Sequence, residues 1–203
     1  MPGLKNPDWR KTIPKVVLDV IAREGLEGAS IRRIAKELGF STTVVTHTFP
    51  DKNELLRWSY HRFVESANCR YEAIRANDPT DLVGYMMSMT ALNEDDLVYW
   101  RAYVAIWDKV LSDPAFAMEL REWILRGIKR IEDFVRAYNP DCEDPHAIAR
   151  QLLALVRGIS EQQILDPDSW TPDEIRDAVR RQVECVLGPR KESSTLSAVG
   201  GRH

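Results

Sequence analysis

The sequence predicts an all-α protein of about nine helices, a three-helix amino-terminal head followed by a larger helical body. Three observations carry that expectation. Apolar residues recur at helical spacing along most of the chain, each interruption is marked by a cap or a breaker, and no stretch alternates apolar and polar residues as a strand would.

The first helix starts near Pro7 or Thr12 and ends at Gly25, with Ile13, Val17, Val20 and Ile21 as its inner stripe. Pro14 lies in its first turns or kinks it. The next segment, Ser30 to Phe49, reads as a short helix, a glycine turn and a second short helix, which is the pattern of a helix-turn-helix. Ile31, Ile34 and Leu38 form an apolar stripe, and the small Ala35 lets the second helix approach. Gly39 permits the left-handed backbone that ends the first of the two helices, and Phe40 plugs the core between them. Ser41 or Thr42 caps the second, leaving backbone N–H groups that suit a phosphate oxygen. With Val45 and Phe49 turned inward, Thr42, Thr43, Val44, Thr46, His47 and Thr48 face out. Such small side chains enter a major groove without clashing, so the expected target is duplex DNA.

Asp51 with Glu54 predicts a capping box for a long fourth helix running through Trp58 and Phe63 to about Arg75. Asn77-Asp78-Pro79-Thr80 breaks the chain before a helix bearing Leu82, Tyr85, Met86, Met89 and Leu92. Asn93-Glu94-Asp95 starts the sixth, whose stripe is Leu97, Trp100, Val104, Trp107 and Leu111, and Asp113-Pro114 starts the seventh. The seventh carries Phe116, Leu120, Trp123, Ile124, Ile131 and Phe134 and ends before Asn139-Pro140. The eighth spans Asp144 to about Asp166 with Ile148, Leu152, Leu155, Val156 and Ile159; Thr171-Pro172 opens the last, with Ile175, Val179, Val183 and Val186. The narrow stripes of these last two suit helix pairing, and Ala154 and Gly158 allow a partner helix to come close. The organisation expected is a DNA-binding head over 1–50, an apolar helical body over 51–188, and a disordered tail over 189–203.

Composition agrees with a globular protein: 44% of residues are apolar and 29% charged. The net charge of −3 is unevenly spread, because residues 1–60 hold ten Lys or Arg against seven Asp or Glu while the remainder is acidic. Positive charge therefore gathers at the head. No apolar run reaches the ~18 residues of a membrane span and the start lacks a signal-peptide pattern, so a cytoplasmic protein is expected. Cys69, Cys142 and Cys185 are scattered and suit reduced thiols. Glu143 and His146 have a Glu-x-x-His spacing, but Pro145 and the surrounding turn residues argue against a metal site. No nucleophile–base pair, glycine-rich phosphate loop or metal-ligand cluster appears, so no cofactor is expected and an enzyme is only an alternative. A helical interaction adaptor without DNA binding is the other.

The stretch from Ile13 to Leu56, with Ile21-Ala22, Gly25, Ser30, Ile34-Ala35, Gly39-Phe40-Ser41, His47, Phe49, Lys52 and Leu55, resembles the amino-terminal domain of TetR-type transcriptional repressors. The resemblance implies that Thr42, Thr43 and Val44 read bases, with Ser41 and Thr46 beside them. It also implies that Ser30, His47 and Lys52 hold phosphates. Of Arg32 and Arg33, both ordinarily solvated charges, one, here assigned as Arg32, is expected to reach the backbone. The sequence departs from the family in placing Thr46 and Thr48 where tyrosine is usual. The carboxyl-terminal half, with its Trp-x-x-Tyr-x-x-x-Trp-Asp and Gly-Ile-Ser-Glu stretches, is similar to the branch that includes choline-responsive repressors. This implies a homodimer built by the last two long helices, a roughly palindromic operator and release by a small-molecule effector. Trp100, Tyr103, Trp107 and Trp123, with Tyr85, Met86 and Met89, are the candidates to line the effector pocket; tryptophan faces attract quaternary ammonium groups.

Overall fold

The computed structural model describes residues 9–189, and among them there are ten helices and no strand. In order these are α1 (Trp9–Gly28), α2 (Ile31–Glu37), α3 (Thr42–Thr48), α4 (Lys52–Asn77), α5 (Leu82–Met87), α6 (Glu94–Ala105), α7 (Trp107–Ser112), α8 (Pro114–Tyr138), α9 (Pro145–Leu165) and α10 (Pro172–Leu187). The nine expected helices are all there, the sixth being divided at Ile106 into α6 and α7. A start of α1 at Pro7 falls outside the described residues, as does all of the expected tail except Pro189.

Two apolar cores organise these helices. The head core joins Ile13, Val17, Val20 and Ile21 of α1 to Ile34, Ala35, Val45 and Phe49, and it extends into the body through Leu55, Leu56 and Ala102. The body core gathers α4–α10 around Leu82, Met86, Ile131, Phe134, Leu152 and Ile175, all almost fully buried. Gln163 ties α9 to the connection between α5 and α6 by donating to the Ala91 carbonyl at 2.7 Å. Pro14 sits inside α1 without breaking it; the chain leaves the helical region at Gly25, whose φ is 72°.

Local capping chemistry sets most of the boundaries. Asp113 accepts from the N–H groups of Ala115 and Phe116, Asp144 from Ala147 and Asn93 from Asp96. Asp51 likewise accepts from the Glu54 N–H at 2.9 Å, while the fully reciprocal capping box forms at Thr171 with Glu174.

The faces of two elements differ from expectation. The inward set of α6 is Leu97, Trp100, Ala102 and Tyr103, followed by Ile106, whereas Val104, Trp107 and Leu111 are exposed. A single residue of near-zero ψ at Ile106 ends the α6 ladder, so that Ile106 rather than Trp107 turns inward. The helix expected to run to Leu92 stops at Met87, because the chain turns through Ser88–Thr90 and the Met89 carbonyl accepts from the Trp100 indole N–H at 3.2 Å. The stripes of α9 and α10 read as pairing surfaces also prove internal: Leu152, Val156, Ile159, Ile175, Val179 and Val183 close the body's own core. Outward the two helices present mostly charged and polar residues such as Gln151, Arg176 and Arg180, among which Ala154 is exposed and Gly158 half-exposed.

Candidate nucleic-acid interface and body cavity

The turn between α2 and α3 is a complete Schellman arrangement. Gly39, at φ 70°, donates to the Lys36 carbonyl at 3.1 Å, and Phe40 donates to the Ala35 carbonyl at 2.8 Å. That turn aims α3 outward, with Val45 buried beneath it and Ser41, Thr42, Thr43, Thr46 and His47 exposed. Val44 and Thr48 are half-buried at its edges. Ser41 occupies the cap position without a side-chain hydrogen bond, so its hydroxyl does not satisfy the helix start. Thr46 turns its hydroxyl back on its own helix, donating to the carbonyls of Thr42 at 3.1 Å and Thr43 at 3.3 Å.

Around α3 the remaining expected contacts divide. Ser30 caps α2 by accepting from the Arg33 N–H at 3.2 Å and remains exposed. Arg33 is held within the head by Glu24 and Glu37, and Glu37 is shared with Arg23 at 2.7 Å. The hydrogen bonds from Arg23 and Arg33 hold the Glu37 carboxyl below its ordinary range. Arg32, exposed beside them, is the arginine of the pair that stays outside this network. Lys52 has an internal role that spacing alone did not reveal: its ammonium donates to the Leu26 carbonyl at 2.6 Å, tying the start of α4 to the corner after Gly25.

In the body, a cavity of about 140 Å³ opens between α4, α5, α6, α8 and α9. Tyr85, Met89, Trp100, Tyr103 and Trp123 line it. Met86 does not, being fully buried in the core behind, and Trp107 does not, standing 40% exposed on the surface edge-on to Tyr103. Sequence reasoning missed Tyr60 and Tyr99, which complete the aromatic wall, and the polar lining of Arg70, Asp96, Arg126, Arg130 and Arg157. Tyr60 stacks on Trp123 with centroids 4.1 Å apart. Burial keeps the phenols of this wall protonated: it pushes Tyr60, Tyr99 and Tyr103 up, and raises Tyr85 to about 12.

Two helices carry both the head and the cavity. α4 gives Leu55 and Leu56 to the head core and Tyr60 and Val64 to the cavity wall. α6 gives Ala102 to the head core, and the flanking Tyr99, Trp100 and Tyr103 to the wall. An exposed pair, Lys15 with Asp95 at 2.9 Å, also joins α1 to α6. Among the described residues there is no cluster of three or more potential metal ligands; His146 pairs with Glu132 at 2.6 Å. No helix among them is long and apolar enough to cross a membrane.

Two segments of the chain match known families. Residues 16–57 match the family described as bacterial regulatory proteins, tetR family, and residues 80–188 match the BetI-type transcriptional repressor, C-terminal domain. The HTH-type transcriptional regulator PksA of Bacillus subtilis is 28% identical over 187 residues, covering 87% of this chain and 89% of PksA. The HTH-type transcriptional regulator BetI of Pseudomonas aeruginosa is 26% identical, covering 83% of this chain and 88% of its own. Among solved structures, a transcriptional regulator from Rhodococcus sp. Rha1 has a TM-score of 0.77 at 24% identity, over 88% of this chain and 95% of that one. A transcriptional regulator from Saccharomonospora viridis, in complex with choline, has a TM-score of 0.71 at 23% identity, over 87% and 96%. The chain thus belongs to the TetR family of bacterial transcriptional regulators, with a carboxyl-terminal domain of the BetI type.

Proposed function

We propose that this regulator is a repressor that grips a roughly palindromic operator as a homodimer and lets go when a small molecule fills the body cavity. Residues 1–50 form the DNA-reading head, and 51–188 the ligand-binding and dimerisation body. Thr42, Thr43 and Val44 are assigned to base edges, with Ser41 and Thr46 at the groove wall; Ser30, Arg32, His47 and Lys52 are assigned to phosphates. The observation that carries the reading is the double membership of α4 and α6, whose side chains build both the head core and the cavity wall. A ligand that settles between Tyr60, Trp100 and Tyr103 acts on the two elements that hold the head. It changes DNA affinity by as much as it prefers one head position over another.

A seven-residue recognition helix reaches few base pairs, so useful specificity requires two copies at a spacing matched to the DNA turn. The outward face of α9 and α10 supports the pairing. A side chain at Gly158 would meet only open space, and a second helix can approach there closely. The setting is the cytoplasm, where the operator is. Gel-shift titration against the upstream region of its own gene, with the mass measured in solution, tests the whole. A dimer that prefers that fragment to random duplex is the expected result; a monomer with no preference overturns it.

A further inference from the structure

We propose that the body cavity selects a small organic anion, a carboxylate carried on an aromatic ring or short aliphatic chain, and rejects quaternary ammonium compounds; this rests on the cavity being the effector site. Four arginines line the cavity, Arg70, Arg126, Arg130 and Arg157, against one carboxylate residue, Asp96. Asp96 is turned toward backbone, its Oδ2 accepting from the Leu92 N–H at 3.3 Å. Arg126 is exposed and has Glu122 at 3.2 Å. Arg130 and Arg157 are half-buried, and among the described residues neither has a carboxylate partner. Arg130 donates instead to the neutral Asn68 Oδ1 at 2.9 Å, with its guanidinium carbon 5.6 Å from the centre of the Tyr71 ring. Arg157 lies 5.5 Å from the centre of the Tyr103 ring.

A guanidinium drawn partly out of water without a counter-charge is unfavourable, and its planar fork is shaped for a carboxylate. An anion seated between Arg130 and Arg157 supplies the missing charge. The buried Tyr103 hydroxyl, which has no hydrogen-bond partner at ordinary distance and stands beside Arg157, offers a further donor. The same arrangement opposes a cation. The ring of Tyr103 already carries a guanidinium, and a trimethylammonium head placed here meets several like charges and one engaged carboxylate. Size follows from the walls: the cavity's 140 Å³ is close to the ~150 Å³ that accommodates benzene in an engineered apolar cavity, and Tyr60, Trp100 and Trp123 present apolar faces to such a body.

The full chain, without DNA, is titrated with sodium benzoate, sodium hexanoate and choline chloride at constant ionic strength, following melting temperature and tryptophan fluorescence. Benzoate or hexanoate is expected to raise the melting temperature and change the emission, with choline inert at the same concentrations. Arg157→Gln is expected to weaken carboxylate binding by about tenfold or more, and Arg157→Lys to restore part of it, with unchanged far-ultraviolet dichroism in both. Choline acting as strongly as the carboxylates, no carboxylate acting at all, or carboxylate binding indifferent to both Arg157→Gln and Arg130→Gln would overturn the proposal. Operator release by the same compounds is read separately, so a cavity that binds carboxylates without controlling DNA would sink the effector reading and leave the anion site standing.

Discussion

Thr43 and His47 stand one turn apart on the exposed side of α3, yet different work is assigned to each. A contact to phosphate carries no sequence information and releases a counterion, whereas a contact to a base edge discriminates. His47→Ala should therefore weaken binding about equally on all duplexes and flatten the salt dependence, the logarithmic slope falling by up to about one. Thr43→Ala should leave the slope alone and change which bases are tolerated, by about 1 kcal/mol or more at the affected pair. Fluorescence anisotropy at several salt concentrations, on the operator and on single-base variants, checks both; identical behaviour of the two variants would contradict the assignment. Lys52 differs from both. Since its ammonium also holds the Leu26 carbonyl at 2.6 Å, Lys52→Ala should lower the stability of the head by roughly 1–2 kcal/mol as well as weaken DNA binding, so its melting curve must be read beside its affinity.

At the scale of elements, the angle between α2 and α3 rests on Gly39. Its φ of 70° is open to glycine and strained for a residue with a β-carbon, although a methyl there would meet no neighbour within 4 Å. The loss on Gly39→Ala is then conformational alone: about 1–2 kcal/mol by chemical denaturation, with Gly39→Asn less affected because asparagine tolerates the left-handed region. Equal stability of all three proteins would show that the turn can relax without cost. This part of the fold was legible because its determinants are local. Ser30, Gly39 and Thr171 act within a few residues of themselves, and the buried sets of α1 to α3 follow one helical face. The parts that were not legible depend on distant partners. Nothing near Val104, Trp107 and Leu111 announces that the ladder ends at Ile106, and the Met89 carbonyl that accepts from Trp100 is eleven residues away from it. The cavity was read from its aromatic half alone, because a periodic arginine such as Arg130 or Arg157 looks like a solvated charge until α8 and α9 are packed against α4 and α6. The internal bond of Lys52 is hidden for the same reason, because its carbonyl partner, Leu26, belongs to α1.

For the molecule as a whole, the joint between head and body is filled with phenols, and this makes the fold sensitive to alkali. Tyr60, Tyr99 and Tyr103 border both the body cavity and a smaller gap that reaches Val17 and Ile21 of the head. Burial is the first cause of the raised proton affinity of each, and of Tyr85, whose value rises from 10.0 to about 12. At neutral pH these groups are protonated whether the chain is folded or not, so they cost nothing. Between pH 10 and about 12 the unfolded chain gives up the Tyr85 proton while the folded protein keeps it. The unfolded state then binds fewer protons, and stability must fall as pH rises, by about 1.4 kcal/mol per unit for each phenol fully withheld. The stabilisation associated with the protonated phenols is fully present below pH 10 and is lost as pH climbs through the folded value. Urea melts at about pH 9 and about pH 11 should show this decline. Phenolate absorbance at the higher pH should be much smaller in the native protein than in urea, and Tyr85→Phe should reduce the pH slope. Equal phenolate absorbance in the native and denatured protein at that pH would mean that water reaches the joint, and that the cavity walls are not the packed lever through which a ligand could move the head.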